Sequence, residues 1–186
     1  MVSREHTAGA ARPPLVFILG GARSGKSARA LGLAANGPGP RAFIATAEPS
    51  DAEMAERIAR HRQDRGGGWR TLEAPLDPAG ALGTAEASGC GIAVIDCLTL
   101  WLSNLLLAGR DPEAEGTRLL QALAERSLPV IAVSNEVGLG LVPDTPLGRV
   151  FRDAQGRLNQ RVAAAADVVE FVAAGLSLPL KGRPPG

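Results

Sequence analysis

The chain has no excess of either charge and no apolar run as long as a membrane span. Its 20 basic and 19 acidic residues leave a net charge of +1, so no charge bias indicates nucleic acid or a membrane surface as partner. A helix that crosses a bilayer needs about 20 apolar residues in a row, and the N-terminus has no secretory signal pattern. We therefore expect a cytoplasmic globular protein that has no membrane span and binds no nucleic acid.

Cysteine and histidine are also scarce, with two of each. Cys90 and Cys97 flank an apolar run typical of a buried strand, and seven residues of extended chain hold them too far apart for a disulfide. We therefore expect reduced thiols, as in a cytosolic protein. Since His6 falls in the polar N-terminal segment, His61 is the remaining candidate for histidine chemistry.

The length of 186 residues suits one domain with a sizeable core. Residues 1–14 are polar, rich in alanine and glycine, and end in two prolines, so we expect a disordered leader there. The domain is expected over residues 15–181, followed by a frayed tail at 182–186.

Short apolar runs alternate with helical stretches, which predicts an α/β fold with a mostly parallel sheet and helices on both faces. Strands are predicted at 15–19, 41–45, 69–73, 92–95, 130–133 and 168–172, with a short antiparallel edge at 176–180. Helices are predicted at 27–35, 51–65, 98–108, 112–126 and 147–166.

The most informative segment joins an apolar run to the pattern G-x-x-x-x-G-K-S, here Gly20-Gly21-Ala22-Arg23-Ser24-Gly25-Lys26-Ser27. Its glycines let main-chain N–H groups converge on phosphate oxygens, and the helix that follows adds its positive N-terminal end. Lys26 supplies a charge for the β- and γ-phosphates, and the Ser27 hydroxyl can ligate Mg²⁺. Because a strand precedes the pattern and a helix follows it, we predict a P-loop nucleotide-binding domain.

Ligands of parallel sheets collect at the carboxyl ends of the strands, so residues that directly follow the apolar runs are candidates for the site. Asp96 follows a buried run, where a P-loop enzyme needs a carboxylate for Mg²⁺, and it could also cap the next helix. Thr46 fits a capping residue as well as a nucleotide contact. Residues 133–138 (Val-Ser-Asn-Glu-Val-Gly) fit a polar rim of the site or a turn.

His61 lies late in the helix predicted over 51–65, next to Arg60 and Arg62 and near Arg65. Their positive charge favours a neutral imidazole, which can act as a nucleophile near pH 7. The arginines could also hold the phosphates of a nucleotide. The same spacing also fits an exposed helix with basic side chains.

Together, the motifs resemble those of the bifunctional adenosylcobinamide kinase / adenosylcobinamide-phosphate guanylyltransferase family. The resemblance covers about residues 15–181. After the P-loop it is carried, in order, by residues 43–47 (Phe-Ile-Ala-Thr-Ala), residues 51–58 (Asp-x-Glu-Met-Ala-x-Arg-Ile), the helix that contains His61, residues 69–73 (Trp-Arg-Thr-Leu-Glu), residues 133–138, and residues 151–160.

The resemblance implies a RecA-like P-loop NTPase fold and two successive reactions at one site. ATP or GTP phosphorylates the aminopropanol hydroxyl of adenosylcobinamide. GTP then guanylylates an enzyme histidine, and GMP passes to the new phosphate to give adenosylcobinamide-GDP in cobalamin biosynthesis. The resemblance also implies a homotrimer.

By the same resemblance, His61 is the nucleophile, and Ser27 and Asp96 hold Mg²⁺. The implied nucleotide contacts are Gly20, Gly21, Ala22, Arg23, Ser24, Gly25, Lys26, Ser27, Ala45, Thr46, Ala47, Arg62, Gln63, Asp64, Arg65, Glu73 and Asp96.

Two other functions are compatible with the residues. A small-molecule P-loop kinase without guanylyl transfer would turn over with an acceptor but would retain no guanosine-side phosphate. A nucleotide-switched binding protein would turn over slowly without an acceptor and would bind a protein partner in a nucleotide-dependent way.

Overall fold

The computed structural model describes residues 12–49 and 52–183. The strands are β1 Leu15–Gly20, β2 Arg41–Ala45, β3 Trp69–Glu73, β4 Ile92–Asp96, β5 Val130–Asn135, β6 Val168–Ala173 and β7 Leu176–Lys181. The helices are α1 Lys26–Ala35, α2 Ala52–Arg65, α3 Pro78–Ala87, α4 Leu98–Leu107, α5 Pro112–Glu125 and α6 Pro146–Ala165.

The strands form one seven-stranded sheet in the order β3-β2-β4-β5-β1-β6-β7. All neighbouring pairs are parallel except β6 and β7, which form an antiparallel edge. The predicted fold class is therefore confirmed. In the described part of the chain, no helix has both the length and the apolar character to span a membrane.

The strand β1, which lies between β5 and β6, is buried along its whole length, and its side chains point to both faces of the sheet. Leu15 and Phe17 point into an apolar cluster that is completed by α3, α4, α5 and α6. Val16 and Ile18 point into a second cluster, which α1 covers. A continuous apolar run is what a parallel strand covered on both faces requires.

The helix α3 was not predicted. Gly80 and Gly83 lower the helix propensity of this segment, which hides its apolar positions. Its start is nevertheless encoded, because Asp77 accepts a hydrogen bond from Gly80 N at 2.8 Å and Pro78 occupies the first turn. The buried Leu82 then anchors the helix in the larger cluster.

Most of the expected leader and tail, residues 1–11 and 184–186, lies outside the described residues. Residues 12–14 contact the domain. Arg12 pairs with Asp167 at 3.3 Å, and the Pro14 carbonyl accepts from Val130 N at 3.0 Å.

Candidate functional site

The P-loop connects the end of β1 to the start of α1, and its shape depends on two glycines. Gly20 has φ +155° and Gly25 has φ +103°, and a Cβ at Gly20 would collide with the Val172 carbonyl oxygen. The loop is also held from outside, since Gly20 O accepts from Glu136 N at 3.0 Å and Ser24 O accepts from Gly175 N at 2.9 Å. The loop is thus fixed between the end of β5 and the β6–β7 turn.

The loop forms one wall of a cleft of about 660 Å³, which we call the main cleft. Four parts of the fold meet there: the P-loop with the first turn of α1, α2, the segment from the end of β4 into α4, and the end of β5. The lining residues are Ala22, Arg23, Ser24, Gly25, Lys26, Ser27, Ala28, Glu56, Arg60, Asp96, Cys97, Leu100, Val133 and Asn135.

Lys26 is the first residue of α1 and is largely buried. Its ammonium group donates to the Gly21 carbonyl oxygen and lies 3.4 Å from Ser24 Oγ. The charge of Lys26 therefore lies against the P-loop itself, where a P-loop lysine can reach phosphate oxygens.

A second, smaller cavity of about 90 Å³ adjoins the main cleft beneath α2. Ser27 and Asp96 line both cavities, so a hydroxyl and a carboxylate lie at their junction. The other lining residues are Phe43, Ala45, Ala47, Met54, Ile58, Arg62, Arg65, Cys97 and Leu100.

The Cys97 side chain is buried beside Asp96, and the peptide bond between the two residues is cis. Burial, and secondarily the negative charge of Asp96, raises the pKa of the Cys97 thiol to about 11. Cys97 is therefore a protonated thiol at neutral pH and no nucleophile. Both cysteines are unpaired, as predicted.

Thr46 is fully buried at the end of β2. Its hydroxyl donates to Cys97 O at 2.7 Å and accepts from Cys97 N at 2.8 Å. Asn104 Nδ2 donates to the Thr46 carbonyl at 2.8 Å. Thr46 thus ties two strand ends together and lines neither cavity. Its predicted nucleotide contact stays a prediction.

The last turns of α2 carry the basic residues predicted to hold phosphates. Arg62 forms an ion pair with Glu73 at the end of β3. The Arg65 guanidinium lies 3.7 Å from the Phe43 ring centroid and donates to Thr71 Oγ1 at 3.2 Å. Burial, and then the neighbouring charge of Arg62, lowers the pKa of Arg65 from its ordinary value. These contacts hold two cations against β2 and β3.

Among the other predicted contacts, Gln63 is exposed and lines neither cavity. His61 and Asp64 lie on α2, but their side chains are outside the described part of the structure, so their roles stay predictions. Residues of the stretch 133–138 line the main cleft, so this stretch forms part of its rim.

Sequence reasoning missed Glu56, which lines the main cleft from α2 together with Arg60. The two residues form an i,i+4 ion pair at 2.8 Å. The only signal in the sequence is that spacing, which also occurs on ordinary exposed helices.

The chain matches the family model described as cobinamide kinase / cobinamide phosphate guanyltransferase over residues 16–180. It is 49% identical over 171 residues to the bifunctional adenosylcobalamin biosynthesis protein CobP of Pseudomonas aeruginosa, covering 90% of this chain and 98% of that protein. It is 39% identical over 184 residues to the bifunctional adenosylcobalamin biosynthesis protein CobU of Salmonella typhimurium, covering 90% and 99%. A relative of the same name from Escherichia coli is 37% identical with the same coverage.

Proposed function

This chain belongs to the cobinamide kinase / cobinamide phosphate guanyltransferase family, and we propose that it catalyses both reactions at the main cleft. The substrate of the first reaction is adenosylcobinamide, with ATP or GTP as phosphoryl donor. The second reaction transfers GMP from GTP to the phosphate made in the first. One observation carries the proposal: the P-loop, Asp96 and the basic helix α2 converge on one cleft.

In the kinase reaction, the hydroxyl oxygen of the substrate attacks the γ-phosphorus. The bond from that phosphorus to the β–γ bridging oxygen breaks, and the nucleoside diphosphate leaves. Negative charge builds up on the phosphate oxygens during this displacement, so positioning and electrostatics supply most of the catalysis. Lys26 and the N–H groups of the P-loop provide this positive charge.

The residues at the junction of the two cavities fit a Mg²⁺ ion that arrives with the nucleotide. Ser27 and Asp96 offer a hydroxyl and a carboxylate, the hard oxygen donors that Mg²⁺ prefers. Among the described residues, no group of three or more His, Cys, Asp or Glu could hold a metal ion. When bound, Mg²⁺ neutralises charge on the phosphate oxygens.

In the guanylyl transfer, we assign the nucleophile to His61. An imidazole nitrogen attacks the α-phosphorus of GTP and pyrophosphate leaves, and then a phosphate oxygen of adenosylcobinamide phosphate attacks the same phosphorus and releases the histidine. Splitting one displacement into two in this way is covalent catalysis. In support, the neighbours of His61 along α2, Arg60 and Arg62, line the main cleft and the smaller cavity.

The surrounding cations suit a leaving pyrophosphate. Arg60 lines the main cleft, and Arg62 and Arg65 line the smaller cavity.

We further propose that the enzyme works in the cytoplasm, which its two unpaired cysteines favour. We also propose that it is a homotrimer, as the family resemblance implies.

The test uses the purified protein with adenosylcobinamide and GTP labelled at either the α- or the γ-phosphate. We expect γ-label in adenosylcobinamide phosphate, α-label in adenosylcobinamide-GDP, and, without corrinoid, α-label covalently on the protein. Phosphorylated corrinoid with no α-label on the protein or product would identify a plain kinase. Failure to phosphorylate the corrinoid at all would overturn the proposal.

A further inference from the structure

A group of buried polar side chains lies where α4 and α6 meet the end of β5. Ser134 and Gln155 are 0% exposed, and Asn159 is 5% exposed. Ser134 Oγ donates to Asn159 Oδ1 at 2.8 Å. Gln155 Nε2 donates to Ser134 Oγ and to Asn159 Oδ1, each at 2.9 Å. We call these three residues, with Thr99, the polar relay. Thr99 Oγ1 lies 3.3 Å from Ser134 Oγ.

Burying such a group is costly for stability. Each buried polar atom gives up its contacts with water and gains little net energy from its new partner, and a buried atom without any partner destabilises the fold. Gln155 Oε1 is such an atom, since it is buried without a hydrogen-bond partner. Replacing both partners of a buried hydrogen bond by apolar groups of the same shape can be neutral or even stabilising, so the polar relay calls for a functional explanation.

The polar relay ends on the main chain of Asn135. Thr99 Oγ1 accepts from Asn135 N at 2.7 Å, and Asn159 Nδ2 donates to Asn135 O at 3.1 Å. The register between β4 and β5 ends at Val133, so beyond that point no strand supplies these partners. Side chains from α4 and α6 take the place of a strand there.

On its other side, Asn135 is fixed to the P-loop. It lies opposite Gly20 in the parallel register of β1 and β5, and the next residue, Glu136, donates its N–H to Gly20 O at 3.0 Å. Asn135 is thus held from three elements at the wall of the main cleft, which Lys26 and Asp96 also line. Among the described residues that line this cleft, Asn135 carries the only side-chain amide.

We propose that Asn135 is a catalytic residue of the kinase reaction, whose amide orients the acceptor hydroxyl toward the γ-phosphoryl group, and that Thr99, Ser134 and Asn159 are its positioning residues. The inference rests on the proposed kinase activity. An amide suits this task because it donates through Nδ2 and accepts through Oδ1. It can therefore contact a phosphoryl oxygen and the attacking hydroxyl together.

The amide takes no part in the covalent chemistry. The hydroxyl oxygen bonds to the γ-phosphorus, the bond to the β–γ bridging oxygen breaks, and its electron pair leaves with the nucleoside diphosphate. The hydroxyl proton passes to water, since an amide oxygen is too weak a base to take it. Guanylylation of His61 involves no acceptor hydroxyl and therefore needs no such orientation.

The first experiment compares Asn135→Ala with the wild type in both half-reactions. We expect kcat for adenosylcobinamide phosphorylation to fall about 100-fold, the scale of lost positioning. The KM for the nucleotide and the covalent α-label from GTP should change less than about threefold, since the P-loop itself is untouched. Normal phosphorylation by this variant, or an equal loss of phosphorylation and labelling, would overturn the role of Asn135. An inactive wild-type protein would instead count against the proposed function.

The second experiment tests the polar relay with Asn159→Leu, which keeps the branched shape of the side chain and removes the donor to Asn135. The exposed neighbour Gln160 on the same helix gives the matched control, Gln160→Ala. In Asn159→Leu we expect kcat for adenosylcobinamide phosphorylation to fall about tenfold while the KM for the nucleotide stays unchanged. In Gln160→Ala we expect both kcat and KM to match the wild type.

The double variant Asn135→Ala/Asn159→Leu separates positioning from a merely structural effect. It should be no slower than Asn135→Ala alone, because the relay acts only through Asn135. Independent, multiplying losses would overturn the positioning role. If Asn159→Leu does not fold, Thr99→Val removes the acceptor of Asn135 N instead, and the same result is expected.

Discussion

The hydroxyl of Thr46 is bonded twice to the main chain of Cys97, donating to its carbonyl at 2.7 Å and accepting from its N–H at 2.8 Å. The main-chain N–H of Thr46 in turn donates to Asp96 O at 3.3 Å. The end of β2 therefore holds the main chain at Asp96 and at the residue that follows it, Cys97. This tie fixes the direction in which the carboxylate leaves β4.

Replacing Thr46 by valine keeps the shape of the side chain and removes both hydrogen bonds that the hydroxyl forms with Cys97. It leaves the N–H and carbonyl of buried Cys97 without these partners, so the free energy of unfolding should fall by about 2–4 kcal/mol. Urea unfolding measures the loss. Thr84→Val is the matched control, because the Thr84 hydroxyl bonds to Gly80 O on the exposed side of α3, and it should change stability by less than about 0.5 kcal/mol. Equal stability of the two variants would mean that the tie to Cys97 is dispensable.

Lys26→Ala removes the charge that lies against the P-loop. Both phosphorylation of adenosylcobinamide and covalent α-labelling should fall by about 10²–10³-fold, since both displacements develop charge on the same phosphates. The chain has one other lysine, Lys181, which donates to the Ala164 carbonyl at the end of α6 at 2.9 Å. Lys181→Ala should leave both rates unchanged. Near-normal turnover by a folded Lys26→Ala protein would contradict the assignment of residues 20–27 as the phosphate-binding loop.

Asp96→Asn keeps the side-chain shape and removes its charge. We expect lower activity in both reactions and a higher Mg²⁺ concentration for half-maximal rate, because a neutral amide is a poorer ligand for a hard cation. Titrating MgCl₂ at fixed nucleotide measures this. The exposed Asp153 provides the control, Asp153→Asn, whose Mg²⁺ curve should match the wild type. An unchanged Mg²⁺ curve for Asp96→Asn would contradict the role of Asp96 in holding Mg²⁺.

Cys97 gives a prediction with a defined pH dependence. With a pKa of about 11 against an ordinary value of 9.0, its thiolate fraction at pH 8 is about 0.1%, compared with about one in ten for an unperturbed thiol. Iodoacetamide should therefore label Cys97 slowly in the native protein at pH 8, and peptide mass spectrometry distinguishes it from Cys90. Rapid native labelling at pH 8 would contradict the burial of this thiol.

The same shift also affects stability. The pKa of Cys97 is raised in the folded state, so the unfolded chain loses its proton first as the pH rises. Its contribution to the free energy of unfolding is complete below about pH 9 and is lost between about pH 9 and 11. Cys97→Ala should flatten this part of the stability curve in urea unfolding.

The strands and the P-loop could be predicted because their signals are local. An apolar run such as β1 has one stable place in a sheet covered on both faces, and the loop glycines follow from its backbone shape. The positions of Glu56 and Asn135 at the main cleft were not settled in this way, since Glu56 was missed and residues 133–138 fitted a polar rim or a turn. They depend on where α2 lies over the P-loop and where the β4–β5 register ends, and both are tertiary facts. Thr46 is a further example, since its position after an apolar run fitted a capping residue and a nucleotide contact equally well.

His61→Ala distinguishes the bifunctional enzyme from a plain kinase. The imidazole is needed only where an unprotonated nitrogen attacks the α-phosphorus, whereas the kinase reaction uses the hydroxyl of its substrate as nucleophile. The variant should therefore lose covalent α-labelling and still phosphorylate adenosylcobinamide substantially. His6→Ala, which changes the other histidine of the chain, is the control and should label normally.

The chemistry of the label gives an independent check. A phosphoramidate on the wild-type protein should survive alkali and be lost in acid, and it should form poorly at low pH, where imidazole is protonated. Labelling that persists in His61→Ala would refute the assignment of the nucleophile. Loss of both reactions in His61→Ala would mean that this residue supports the nucleotide site as a whole, because the phosphorylation step has no other use for an imidazole.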